Sequence, residues 1–273
     1  LFELSFSDIG QINQFIQNEL TENPYLSEQF EDKFIPATNY TFTFNNQKIY
    51  KIANYTYLKT KIETAGNLLN TIGQLASLNT DNDDNYLFFN NSFSQYIRFD
   101  IDCRRYLMLS KENILVLRGF YGIGYSYGNS KELPIQKQFF SGGVNSIRAW
   151  EAFDLGPGSI TTLNNYSTGD IKLEFNVEYR FPVFNSLKSA LFIDGGNIWS
   201  IRNDPREGSI FELNSFVNEL AIGAGVGIRY DFDFFVIRLD IATPVRDPST
   251  ENRWIKNPLN EKFRYNLAIG YPF

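Results

Sequence analysis

The chain has 273 residues, a formal charge of −6, 43% hydrophobic residues and a mean hydropathy of −0.28. No run approaches the ~18–20 consecutive apolar residues that a membrane helix needs, and the mild acidity excludes the basic stripe of a nucleic-acid partner. With no His and a single Cys103, neither an ordinary metal site nor an internal disulfide can be assembled, and no cofactor is expected. The aromatic share of 16%, with 26 Phe and 16 Tyr, favours strands over helices. A chain of this composition that crosses a bilayer must do so as a closed barrel, because lipid offers no partners to unpaired backbone groups.

The chain begins at Leu1 with neither an initiator Met nor a secretory signal, so it is expected to be a segment of a longer or processed polypeptide. Ser7 and Asp8 can cap a short helix whose Ile9, Ile12, Ile16 and Leu20 share one face, with Pro24 beyond its end. Residues 1–36 are therefore expected to form an extracellular loop carrying that helix.

Strands with a period of two then recur, about nine in all: 37–46, 54–66, 92–108, 112–128, 169–182, 187–200, 218–232, 234–246 and 262–273. The cleanest puts Ile171, Leu173, Phe175, Val177, Tyr179 and Phe181 on one face, opposite Lys172, Glu174, Asn176, Glu178 and Arg180. Upstream, Ile97, Phe99 and Ile101 oppose Arg98, Asp100 and Asp102; downstream, Ile237, Leu239 and Ile241 oppose Arg238 and Asp240. Short turns near Asn46, Ser110, Asn185 and Asp233 alternate with long connections at 67–91, 129–168, 201–217 and 247–261. The last strand alternates through Leu267, Ile269, Tyr271 and Phe273.

The charged faces separate a soluble sheet from a membrane barrel. Lys172, Glu174, Arg238 and Asp240 would be costly in a dry core, but in a wide barrel they line a wet lumen while the apolar face meets lipid. Short turns at one end and long loops at the other are the outer-membrane layout. The fold class expected is therefore all-β, a transmembrane antiparallel β-barrel. Single-chain bacterial barrels carry an even number of strands, so a count of nine implies that strands are missing before Leu1.

The loop at 129–168 contains Phe139-Phe140-Ser141-Gly142-Gly143-Val144-Asn145-Ser146-Ile147-Arg148-Ala149-Trp150, then Asp154-Leu155-Gly156-Pro157-Gly158. A second motif, Phe192-Ile193-Asp194-Gly195-Gly196-Asn197-Ile198-Trp199, lies two strands on. Together they resemble the outer-membrane assembly superfamily that includes BamA, TamA and the two-partner secretion transporters, with the Leu-Gly-Pro-Gly run closest to TamA-like members. In that family the sixth extracellular loop folds into the lumen behind a Val-Arg-Gly-aromatic tip. Here the tip reads Ile147, Arg148, Ala149, Trp150, and Ala149 stands where the family has Gly, which disfavours a positive φ at that position.

The resemblance implies that residues 1–273 are the C-terminal portion of a sixteen-stranded barrel whose first strands and POTRA domains lie outside this chain. It further implies a place in the bacterial outer membrane among its lipids. Unfolded membrane or secreted client proteins and periplasmic accessory proteins would be its partners. Lumen-facing Asp194 and Glu174 are the expected partners of Arg148, since a cation entering the lumen loses water and needs a fixed carboxylate. Gly142, Gly143, Gly196, Gly223, Gly225 and Gly227 are expected to leave room for the loop. The family's action is non-covalent: a weak seam at the last strand opens and a client strand adds to its edge. Alternatives are a passive pore or a transporter of a soluble passenger. An enzyme is disfavoured, with no His for a triad, no Gly-x-Ser-x-Gly elbow and no phosphate loop.

Overall fold

The computed structural model describes residues 2–7, 33–48, 50–81, 84–161, 167–201, 204–232, 234–261 and 263–273. Ten strands form one antiparallel sheet in which each pairs with the next in chain order. They are β1 (Phe2–Ser7), β2 (Lys33–Asn45), β3 (Tyr55–Ala65), β6 (Tyr96–Met108), β7 (Ile114–Ser126), β8 (Ile171–Phe184), β9 (Leu187–Trp199), β10 (Ala221–Asp231), β11 (Val236–Arg246) and β12 (Arg264–Ile269). Between β3 and β6 stand a helix, α1 (Asn67–Ala76), and a two-residue hairpin, β4 (Leu87–Phe88) with β5 (Asn91–Ser92). Among the described residues no helix is long and apolar enough to cross a membrane.

Exposure along the strands is inverted relative to a soluble sheet. On β8 the apolar Val177 is 38% exposed, whereas Glu174, Asn176 and Glu178 beside it are at most 1% exposed. β10 and β11 repeat the pattern: Val226, Ile228, Tyr230, Ile237 and Leu239 face out, while Arg229, Arg238 and Asp240 are buried. A sheet with its apolar side turned outward and its ions inward is stable only where the outer phase is hydrocarbon. This is a section of transmembrane β-barrel wall. Cys103 is exposed on the outer face of β6.

Four expectations change. Phe2–Ser7 is a strand paired with Lys33–Thr38, so residues 1–36 are not all loop; the rest of the expected helix lies outside the described residues. Among the described residues the sheet accordingly has ten strands where about nine were expected, and β1 starts at the short-turn end. The segment 67–91 holds α1, whose Leu69 and Gly73 bury against the connection while Leu68, Ile72 and Leu75 stay exposed. The terminal strand stops at Ile269: Gly270 adopts φ +87°, and Tyr271 and Phe273 leave the outer face. Phe273 packs inward on Tyr106 and Val116, and Tyr271 stacks on Arg180 with 4.3 Å from guanidinium to ring centre. Cation–aromatic attraction inside the barrel outweighs two more outward positions at a chain end with few ladder bonds.

Candidate functional site: a loop arginine in the lumen wall

Over the described residues 129–161, the 129–168 connection turns back into the barrel rather than projecting from it. Its tip is shaped by two glycines with left-handed backbones, Gly142 (φ +91°) and Gly143 (φ +92°), and by hydrogen bonds from Gly143 N to Trp150 O (2.8 Å) and Ser146 N to Gly143 O (3.1 Å). A Cβ on Gly142 would collide with the Glu151 carbonyl, so a side chain there would force the tip apart. Ala149 keeps a negative φ, so Ala in place of the family's Gly brings no backbone strain. The apolar tip residues Ile147, Ala149, Trp150 and Leu155 bury against Phe192, Ala221 and Ala242 of the wall. That burial supplies the non-directional part of the loop's attachment.

Arg148 supplies the directional part. Its side chain is fully buried and meets carboxylates from three strands. Asp194 of β9 takes a bidentate pair, Nε to Oδ2 at 2.8 Å and Nη2 to Oδ1 at 2.9 Å, and also accepts the Arg148 backbone N–H at 3.2 Å. Glu178 of β8 accepts Nη1 at 2.6 Å and Asp240 of β11 accepts it at 3.2 Å. The guanidinium lies 3.4 Å above the Phe192 ring centre. Burial works against the arginine's charge, but Asp194, Glu178 and Asp240 outweigh it and leave its pKa above the ordinary value. A planar five-donor head fits three carboxylates and a ring at once; an ammonium cannot.

Glu174, expected to share Arg148, holds a different part of the loop. It accepts Ser141 Oγ at 3.1 Å and the Ser146 hydroxyl, and pairs with Lys172 at 2.9 Å and Arg118 at 3.3 Å. Asn176 sits between the two carboxylates and donates to Asp194 Oδ1 (2.8 Å) and to Ser146 O (2.9 Å).

The glycine expectations divide. A Cβ on Gly223 would meet Ala149 Cβ at 2.5 Å, so that glycine admits the loop tip. A Cβ on Gly225 would strike Phe192 and the Ile241 carbonyl, one on Gly227 would strike Asp240 and Arg229, and one on Gly196 would strike the β8 backbone at Leu173. These three relieve crowding within the wall itself. Gly143 lies near Ala152 of the same loop.

Sequence reasoning missed Glu178 and Asp240 as partners of Arg148, although it placed both on the lumen face. It also missed the arginines behind them. Arg229 lies 3.2 Å from Glu178 and 2.9 Å from Asp240, and Arg180 and Arg238 bond the same carboxylates at 2.7 and 2.6 Å. Arg238 Nη2 donates to Val144 O at 2.9 Å and so also touches the loop. Alternation assigns these residues to a face; only the strand register brings them to one level.

An outward apolar belt, a lumen lined with ions and a long loop folded onto that lining define a class: an outer-membrane barrel with an internally docked loop. A family model described as the Omp85 superfamily domain matches residues 17–273, and the chain belongs to that superfamily. It is a protein of the bacterial outer membrane. Over 186 residues it is 26% identical to "Outer membrane protein assembly factor BamA" of Neisseria meningitidis serogroup B, covering 60% of this chain and 22% of that protein. Solved structures similar to it include BamA from Haemophilus ducreyi lacking POTRA domains 1–3, with a TM-score of 0.48 at 12% identity over 89% of this chain and 56% of that one. CdiB from Acinetobacter baumannii has a TM-score of 0.36 at 10% identity, over 89% of this chain and 44% of its own. The chain thus spans about a fifth of the curated relative's length.

Proposed function

We propose that this chain is the loop-bearing wall of a factor that assembles or translocates proteins at the outer membrane. Arg148 holds the 129–168 loop against the inner wall, and a seam at β12 admits the client strand. The single observation that carries this reading is the complete burial of Arg148 among Asp194, Glu178 and Asp240. Fully desolvated ions cost several kcal/mol unless their geometry repays them, so a loop built around such a site is held in place rather than left to move with solvent. A loop filling this part of the lumen also argues against passive diffusion. Unfolded client proteins, outer-membrane lipids and periplasmic accessory proteins are the proposed partners. The chemistry is non-covalent throughout: an edge strand offers unpaired N–H and C=O groups to an incoming strand.

The test uses the full-length protein with Arg148→Ala. The barrel should still form, seen as heat-modifiable gel migration, while proteolysis within 139–160 increases and insertion of a model client barrel into vesicles falls. Unchanged protease sensitivity together with full insertion activity would overturn the proposal.

A further inference from the structure

β12 shares a shorter ladder with β11 than β10 does. β12 pairs with β11 over six residues, Arg264 to Ile269, whereas the β10–β11 pairing extends over ten residues of β10. Its outer side chains Tyr265, Leu267 and Ile269 are 69%, 72% and 78% exposed, so they contribute little packing within the chain. Its inner side chains reach the loop. Asn266, 8% exposed and opposite Asp240 in the register, donates from Nδ2 to the carbonyl oxygen of Arg148 at 2.9 Å. Two residues earlier, Arg264 pairs with Glu151 and lies 3.6 Å from Asp154 on the outgoing limb of the same loop. The small Ala268, opposite Arg238, completes this inner face.

We propose that the inner face of β12 is a docking surface for the loop tip, with Asn266 as the positioning residue, so that the terminal strand and the Arg148 loop hold or release together. This deepens the function proposed above and rests on it only for its consequence at the seam. The two contacts are unequal. The Arg264 pair is more than a third exposed on both sides, so solvent screens it and its share is minor. The Asn266 bond is buried, and its loss leaves the Arg148 carbonyl without that donor inside a desolvated cluster. Arg148 is therefore held from both ends: its guanidinium by β8, β9 and β11, its carbonyl by β12. Coupling between two groups is reciprocal, so loosening the loop must loosen the strand by a comparable factor, and the reverse.

Amide hydrogen exchange on the full-length protein, in nanodiscs of phosphatidylethanolamine and phosphatidylglycerol, tests this without any client. Asn266→Ala should speed exchange roughly tenfold both in 264–269 and in 147–150. Arg148→Ala, which alters no side chain of β12, should speed 264–269 while the amides of β8 and β9 stay protected. Arg264→Gln should have a smaller effect at both places, and Asn266→Gln, which keeps an amide donor, should restore part of the protection. If Asn266→Ala speeds only 264–269, or Arg148→Ala leaves 264–269 at the wild-type rate, the coupling does not exist. Either result leaves the vesicle insertion assay to judge the assembly role separately.

Discussion

The walls formed by β8–β11 and by β3 with β6 carry the same alternation but use their inner faces differently. On β8–β11, Glu178, Arg229, Arg238 and Asp240 have side chains no more than 1% exposed, as has the loop's Arg148 docked on them. On β3 and β6, Lys61 and Arg104 are 25% and 26% exposed, and the Arg98–Asp100 pair 18% and 15%. Burial rises on that side too where residues of the long loop reach it: Glu63 is buried beneath Tyr96 and Lys137, and Arg98 stacks on Phe139 at 4.1 Å; Asp102 on β6 is 8% exposed. What separates the two walls is the loop and not the strands: where it lies down, a solvated lining becomes a desolvated ionic cluster, and the same residue types acquire much larger energetic consequences.

Breaking the comparison at its strongest point gives the largest effect. Arg148→Ala leaves three carboxylates without their loop cation and should cost about 3–5 kcal/mol, the usual penalty for removing one member of a buried ionic group. It is read as a lower urea midpoint for loss of the heat-modifiable species. Arg148→Lys should recover only part, since an ammonium cannot reproduce the bidentate pair with Asp194 or the stack on Phe192. Gly223→Val comes next, at about 1–3 kcal/mol, because its side chain would enter the space of Ala149; proteolysis within 139–160 should rise. The matching control is Gly119→Val on β7, where a Cβ meets nothing within 4 Å, and there the loop should be cleaved at the wild-type rate. Smallest is Arg104→Ala, whose partly exposed pair with Asp102 should be worth about 0–1 kcal/mol, with no change in loop cleavage. If Arg104→Ala proved as damaging as Arg148→Ala, the contrast between covered and uncovered walls would fail.

Most of the wall was legible from alternation alone, since a period of two is a property of neighbouring residues. The strand at Phe2–Ser7 was not, because six residues before a long connection give too few repeats to outweigh the helix-like spacing that follows. α1 carried a readable signal in Leu68, Leu69, Ile72 and Leu75, but ten residues inside a polar connection fell short of it. The site was legible in part. The Arg148 and Asp194 motifs could be paired through the family resemblance and the inward phase of Asp194, whereas Glu178, Asp240 and Asn266 were merely lumen-facing. Their height along the barrel depends on the stagger of strands and on a loop up to 118 residues away along the chain, as between Arg148 and Asn266.

By itself, the order of residues determined that this chain builds two-sided strands with hydrocarbon outside and ions inside; its resemblance to the family added that a loop arginine entering the lumen needs an inner-wall acid. Tertiary structure alone decided which acids those are, that Glu174 serves the serines instead, and that Tyr271 and Phe273 turn inward. The physical reason is range. Face preference is set between adjacent residues, but the desolvation that makes Arg148 matter exists only once distant strands and the loop share one water-free level.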